Sequence, residues 1–331
     1  MNDSPNRLAS RPRIVVLDGA TLDPGDNPWD EVAALGDLAV HDRTPEDLVV
    51  DRAAGADIVL TNKTPLPAAA LRRLPRLRFI SVLATGYNIV DVEAARTIGI
   101  PVSNVPEYGT RSVAQLVFAL VLELCHHVGL HDRAVRDGEW AARGDFSFSK
   151  APLVELAGKT MAVIGYGRIG RAVGELAHAF GMEVVAVDPA PGDAPPWQPF
   201  SWCGTDDAFR RADVLSLNCA LTPENAGLVD ARRLALMKPA AFLVNAARGG
   251  LVVEADLAAA LAAGRLAGAA LDVVSREPIS RDNPLLGAPS CILTPHIAWA
   301  TREARARLMR ATAANVRAFL AGSSINVVNA G

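Results

Sequence analysis

Lysine is scarce in this chain. Lys63, Lys150, Lys159 and Lys238 are the only four in 331 residues, and arginine carries the rest of the positive charge. With the high alanine content, this bias points to a GC-rich coding sequence rather than to a function. The net charge is −3, so no broad basic field exists to attract nucleic acid or an anionic membrane. Cysteine is scarce too. Cys125, Cys203, Cys219 and Cys291 lie far apart, with no CxxC pair and no Cys/His spacing that suits zinc. Three fall in apolar segments and read as core thiols, Cys203 in a loop; no metal site is expected. No apolar run approaches the ~20 residues that cross a bilayer. The polar start "MNDSPNRLASRPR" lacks the apolar stretch of a secretory signal. A cytoplasmic protein with no membrane or nucleic-acid partner is expected.

What is abundant is alternation. Short β-branched runs are separated by longer helical patterns throughout. In the first third these are "RIVVLD" (13–18), "LAVH" (38–41), "DIVL" (57–60), "RFISV" (78–82) and "PVSN" (101–104). Helical patterns such as "EDLVVDRAAG" and "VDVEAARTIG" lie between them, each ending in glycine. This rhythm predicts parallel sheets with helices on their faces. The stretch "RSVAQLVFALVLELCHHVGLHDRAVRDG" reads as one long helix, a spine linking two domains. A second series follows: "TMAVIG", "EVVAVD", "DVLSLN", "AAFLVN", "AGAALD" and "CILT", the last read as a short buried strand. "PAPGDAPPWQP" (189–199) reads as a Pro-rich surface loop. The final helix, from Thr301, is expected to return to the first domain and make it discontinuous.

The fold class predicted is α/β: two Rossmann-like, doubly wound parallel-sheet domains with an active-site cleft between them. Residues 1–104 plus 297–331 would form one, a substrate-binding domain. Residues 105–296 would form the other, a dinucleotide-binding domain carrying a dimerisation helix and loop.

"GYGRIG" places Gly165, Gly167 and Gly170 in G-x-G-x-x-G spacing, between an apolar strand and an amphipathic helix closed by Gly181. A second strand ends at Asp188, 18 residues after Gly170. Each residue has a physical task in a dinucleotide site. Gly165 permits the tight turn, Gly167 lets backbone approach a pyrophosphate, and Gly170 lets helix and strand pack closely. The helix N-terminus offers N–H groups to phosphate. Asp188 can accept hydrogen bonds from ribose hydroxyls and would repel a 2′-phosphate. The following "PAPGDAPP" holds no Arg or Lys to receive one, so NAD is expected over NADP.

Ligands of open α/β sheets bind beyond the carboxyl ends of the strands. There "AFLVN" runs into Arg248, "AGAAL" into Asp272 and Glu277, and "CILTP" into His296. An arginine, an acid and a histidine suit reduction of a 2-oxo acid. A guanidinium can clamp the carboxylate in fork geometry. An imidazolium can protonate the carbonyl oxygen as hydride reaches C2. An adjacent glutamate stabilises the imidazolium and fixes its tautomer. His296 alone would more often be a satisfied core histidine. Its place at a strand end, on the edge where the dinucleotide should lie, favours the proton donor. In the first domain "RFISV" runs into "LATGYNIVD", where the N–H of Gly86 could meet an anion. Lys63, in "TNKTPLP", could face either the cleft or solvent.

These segments identify the resemblance. The chain resembles the D-isomer-specific 2-hydroxyacid dehydrogenase family over essentially its whole length, and within it the glycerate dehydrogenases, or hydroxypyruvate reductases. "VVLDGATLDPGDNPW", "ADIVLTNKTPL", "LATGYNIVD", "NVPEYGTRSVAQ", "VIGYGRIGR", "NAARGGLV", "LDVVSREP", "DNPLL" and "LTPHIAWATREAR" carry it, in the family's order. The resemblance implies catalysis by Arg248, Glu277 and His296. It implies substrate carboxylate binding by the backbone at Ala84, Thr85 and Gly86. It implies cofactor contacts by Arg168, Ile169, Asp188, Thr222, Ala246 and Asp272. It also implies a homodimer built on the second domain through "VRDGEWAARGDF", with Trp140 either reaching the partner's cleft or anchoring the interface. The reaction implied is reversible, NADH-dependent reduction of hydroxypyruvate, with glyoxylate as a further substrate, to the D-hydroxy acid. Ala220 stands where the family often has proline, and Arg276 where a smaller or uncharged residue is expected.

Other readings differ at named residues. A sister enzyme would keep the mechanism and take another 2-oxo acid. A formate dehydrogenase would lack Glu277, and a phosphite dehydrogenase would carry a lysine in "LATGYN". A phosphoglycerate dehydrogenase of the extended type would continue into a regulatory domain. A dinucleotide-sensing corepressor of the same fold would bind NADH without turnover, and retention of the Arg–Glu–His set argues against it.

Overall fold

The computed structural model describes residues 11–330. The segment read as lacking a secretory signal lies largely outside them. The chain divides into two compact units, one of Met1–Gly109 with Trp299–Gly331, the other of Thr110–Ala298.

The first unit is built on a five-stranded parallel sheet: β1 (Arg13–Val16), β2 (Asp37–Val40), β3 (Ile58–Thr61), β4 (Phe79–Val82) and β5 (Val102–Ser103), in the order β2-β1-β3-β4-β5. Successive side chains go to opposite faces. Ile14, Val16, Ile58, Leu60 and Phe79 enter one apolar cluster, and Val15, Val59, Ile80 and Val82 enter the other. A sheet buried on both faces explains why its strands read as unbroken apolar runs rather than as an alternation. The helix Arg302–Leu320, capped by Thr301, packs against β4 in this unit. Strand order reverses between β1 and β3, the place where such sheets usually receive a ligand. Here Asp18, 5% exposed, fills it. Its carboxylate accepts from the backbone N–H of Asn62 and Thr64, each at 2.7 Å, and from that of Lys63.

The second unit holds seven parallel strands: β6 (Thr160–Ile164), β7 (Glu183–Val187), β8 (Phe200–Trp202), β9 (Val214–Leu217), β10 (Phe242–Asn245), β11 (Gly268–Leu271) and β12 (Cys291–Leu293), in the order β12-β11-β10-β9-β6-β7-β8. Met161, Val163, Val214, Phe242 and Val244 face one cluster, and Ala162, Ile164, Leu215, Leu217 and Leu243 face the other. The order reverses between β6 and β9, so the loops after these strands flank the switch point. The two parallel sheets expected from the βα rhythm are thus both present.

Three expectations need correction. The long helix is two, Thr110–His126 and Val128–Arg136, bent by 54°. His127 adopts a left-handed conformation (φ 48°), and its N–H closes the first helix on Glu123 O at 2.8 Å. The apolar face of the first helix ends at Cys125, and in the second helix only Ala134 is buried. The first helix begins where the first unit's leading segment ends. It lies within the second unit, packed on the helix Arg168–Ala179, β10 and β11. The strand β8 was not expected after the Pro-rich loop. It pairs with β7 at the sheet edge, and its Phe200 and Trp202 pack around Tyr166 and Trp197. Finally, β12 is a half-buried edge strand rather than a buried one. Among the described residues no single helix is long and apolar enough to cross a membrane.

Candidate active site

In a parallel sheet every strand's carboxyl end lies on the same edge, so residues that follow strands are collected there. On the second unit's sheet that edge carries, along β12, β11, β10, β6 and β7, the loops of His296, Asp272, Arg248, Gly165 and Asp188.

The glycine turn is built by steric necessity. Gly165 has φ +88°, and a Cβ there would lie 2.6 Å from Cys219 N, in the loop after β9. A Cβ on Gly170 would lie 2.0 Å from Gly165 O. At Gly167, by contrast, a Cβ would meet nothing within 4 Å. That open space lies before the first turn of the helix Arg168–Ala179, which has no side-chain cap. Exposed backbone with uncapped N–H groups is what a pyrophosphate requires. Arg168 is exposed there, whereas Ile169 packs its side chain toward the core and has its backbone to offer. Asp188 is half-buried. One oxygen accepts from Tyr166 N at 2.9 Å and the other from Ala190 N at 3.0 Å. The same carboxylate therefore shapes the glycine turn, and each oxygen retains a lone pair for a hydroxyl.

Ala246 follows β10 and is half-buried. Thr222 is exposed in the loop after β9. Its N–H donates to Asn225 Oδ1 at 2.7 Å, and its hydroxyl bond to Glu224 holds that carboxyl below its ordinary range. The turn bearing Arg248 is held by Asn245, which is fully buried. Its Nδ2 donates to Arg248 O at 2.9 Å and its Oδ1 accepts from Ala247 N at 3.0 Å. The Arg248 side chain is exposed, with Nη1 donating to Ala247 O at 2.7 Å.

His296 is set by Asp272. The Asp272 carboxylate is 1% exposed and accepts three bonds, from Thr294 Oγ1 (2.6 Å), Ile297 N (2.9 Å) and Ala298 N (2.8 Å). Its carbonyl accepts from His296 N at 2.8 Å. These bonds hold His296 at φ 55°, a conformation that a non-glycine residue keeps only when its surroundings impose it. The resemblance assigns Asp272 to the cofactor; in the fold its carboxylate also holds the histidine loop, and Oδ2, with one bond, retains a lone pair. His296 Nδ1 then lies 2.6 Å from Glu277 Oε2. With Nδ1 engaged, Nε2 is the nitrogen left to exchange a proton with a substrate. The fold therefore joins Glu277 and His296 directly. Arg248 is tied to them through backbone packing, since a Cβ on its neighbour Gly249 would lie 1.9 Å from Val274 C.

In the first unit Thr85 and Gly86 follow β4. Asn104 Nδ2 donates to Thr85 O at 2.7 Å, and Thr85 Oγ1 donates to Val105 O at 2.9 Å. Ala84 is half-buried beneath them. Lys63 is exposed on the turn held by Asp18. Asn104, Asn245 and Glu254, treated below, were missed as supporting residues. Each acts on a loop through a pairing that no motif announces. Burial raises the thiols of Cys125 and Cys291 to about 11, and raises that of Cys219, so none is a ready nucleophile. No group of three or more His, Cys, Asp or Glu among the described residues could hold a metal ion.

Comparison with known proteins shows the family. Residues 118–298 match the NAD binding domain of the D-isomer specific 2-hydroxyacid dehydrogenases. A hydroxypyruvate reductase of Blautia hydrogenotrophica is 49% identical over 320 residues, 96% of this chain and 99% of that one. A glycerate dehydrogenase of Methylorubrum extorquens is 39% identical over 87% of this chain and 90% of its own. Among solved structures, an NADPH-dependent glyoxylate/hydroxypyruvate reductase of Sinorhizobium meliloti, in complex with NADP and malonate, superposes with a TM-score of 0.82. It is 28% identical and aligns over 96% of this chain and 97% of that one. The chain belongs to the D-isomer specific 2-hydroxyacid dehydrogenases, oxidoreductases whose NAD-binding domain it carries in its second unit.

Proposed function

We propose that this dehydrogenase reduces hydroxypyruvate to D-glycerate with NADH, reversibly, and accepts glyoxylate as a smaller substrate. The observation that carries the reading is the 2.6 Å pair of His296 Nδ1 and Glu277 Oε2, on the sheet edge that also bears Arg248 and the glycine turn. The names of the relatives support the choice of 2-oxo acid.

The glycine turn Gly165–Gly170 and the uncapped helix start would hold the pyrophosphate, and Asp188 the adenosine ribose. NADH, when bound, supplies the hydride that C2 of the 2-oxo acid receives. Arg248 holds the substrate carboxylate and draws charge from the neighbouring carbonyl. His296 Nε2 gives its proton to the carbonyl oxygen as that oxygen becomes an alcohol, and Glu277 stabilises the imidazolium before transfer. The net reaction consumes one 2-oxo acid, one NADH and one proton. In reverse, neutral His296 takes the hydroxyl proton.

A homodimer is part of the proposal. Val128 (62% exposed), Trp140 (46%), Phe146 (95%) and Leu153 (56%) form an apolar series along 128–153. A second copy would cover it, and sedimentation of Phe146→Asp as a monomer would support this.

The test is loss of NADH absorbance with purified protein and hydroxypyruvate, glyoxylate, pyruvate, phenylpyruvate or 2-oxoisocaproate. Fast turnover with hydroxypyruvate supports the reading. Turnover confined to a bulky 2-oxo acid keeps the mechanism and changes the substrate. NADH binding without any turnover overturns it in favour of a sensor.

A further inference from the structure

Glu277 stands on the loop between β11 and β12, whose only regular element is a short 3-10 turn at Pro284–Gly287. Such a loop does not by itself keep a carboxylate within 2.6 Å of a ring nitrogen. Another acid bonds on both sides of Glu277. Glu254 is half-buried at the start of the helix Glu254–Ala262. Its Oε1 accepts from Ser275 N at 2.6 Å, and its Oε2 accepts from Ser275 Oγ and from Asn283 Nδ2, each at 2.9 Å. One carboxylate thus ties together two residues that bracket Glu277. Asn283 Oδ1 accepts from Leu285 N at 3.0 Å, and Leu285 is 1% exposed, so the far end of the loop is anchored in the core. Gly249 closes on Val274 and Ser275 at backbone distance. Within the loop, Val274 N donates to Glu277 Oε1 at 3.3 Å.

An acid in a first helical turn also favours the helix dipole. That role requires no bond to Ser275 or Asn283, and Asp256 supplies charge in the same turn. Three donors converging on two oxygens call for a carboxylate specifically. An amide would turn its NH₂ group against at least one of them.

We propose that Glu254 is a positioning residue for proton transfer: it closes the Ser275–Asn283 segment so that Glu277 meets His296, and it touches neither substrate nor cofactor. The inference rests on the proposed acid–base role of the Glu277–His296 pair. Misplacing a reacting group by about 1 Å costs on the order of 10²-fold in rate, and the effect here passes through one intermediate residue.

The experiment compares the full-length enzyme with Glu254→Gln, Glu277→Gln and the double variant, on the 2-oxo acid that the wild type reduces. Glu254→Gln is expected to lose about 10- to 100-fold in kcat, with KM for NADH retained and a larger solvent deuterium isotope effect. In the Glu277→Gln background the same change is expected to cost nothing further, because residues acting through one group are non-additive. An equal penalty in both backgrounds would show a purely structural role and overturn the proposal, as would an unchanged kcat. If Glu254→Gln does not fold, Ser275→Ala removes the hydroxyl bond alone. A smaller loss that also vanishes without Glu277 supports the proposal, and no loss overturns it. Full activity of Glu277→Gln would instead sink the acid–base reading beneath it.

Discussion

A single methyl group offers the sharpest test of how the site is held. Gly249 has no left-handed φ to protect, so Gly249→Ala brings no conformational strain of its own, only volume. A Cβ there would lie 1.9 Å from Val274 C, 2.0 Å from Val274 O and 2.4 Å from Ser275 N. All three are backbone atoms and cannot rotate aside. Carbon atoms pack at about 3.5–4.0 Å, so the two loops must part by roughly 1.5 Å. One of them carries Arg248, the other Glu277. Overpacking of this kind costs about 1–3 kcal/mol, and each kcal/mol lowers Tm by about 2–4 °C in a domain of this size. A separation beyond 1 Å should lower kcat/KM on the order of 10²-fold. The neighbouring substitution is the control. In Gly250→Ala the Cβ would meet Leu221 Cδ2 at 2.8 Å, the end of an exposed, flexible side chain that can move. Its activity should stay within about twofold of wild type, the usual scale of a tolerated change of under 0.5 kcal/mol. The assays are initial-rate kinetics and thermal unfolding, run on both variants. Wild-type kcat/KM in Gly249→Ala would refute the argument that backbone packing between these loops sets the catalytic geometry. Equal damage from Gly250→Ala would show that the effect is not steric at Val274.

Three other substitutions address separate parts of the site and fold. His296→Ala should lose about 10²–10⁴ in kcat, as for a missing acid–base group, while fluorescence titration shows NADH affinity retained; surviving activity would make His296 structural. Asp188→Ala should narrow the preference for NADH over NADPH in kcat/KM, and an unchanged ratio would assign discrimination to another feature. The Arg232 and Arg233 guanidiniums beside Asp206 hold its carboxyl well below the usual carboxylate range. Its folded pKa is depressed, so its stabilising effect is present above the unfolded value of about 4 and is lost as pH falls through the folded one. Asp206→Asn should therefore flatten the fall of Tm with acidification, and an identical slope would show the cluster to be thermodynamically silent.

Much of this protein is local and can be read from the chain alone. The βα alternation, the G-x-G-x-x-G turn and the acid closing the next strand are short-range signals, set by side-chain periodicity and by the steric needs of tight turns. Because parallel strands all end on one edge, any residue just after a strand is delivered to that edge. Arg248, Asp272 and His296 could therefore be nominated together without knowing the sheet order. Relations across the chain were not legible. The break at His127 follows from where the buried face stops, and the edge strand β8 from three residues pairing with β7. The pairing of Glu277 with His296 was expected, and the fold supplies its 2.6 Å geometry; the bonds from the histidine loop to the Asp272 carboxylate and the clamp from Glu254 to Ser275 and Asn283 were not, and link positions about 20 to 30 residues apart. Hydrogen bonds of that span have no period and no composition: their donors are backbone N–H groups that nearly every residue possesses, or single polar side chains that only the fold brings beside the acid. Sequence determined which side chains reach the edge; only tertiary packing decided which of them hold one another in place.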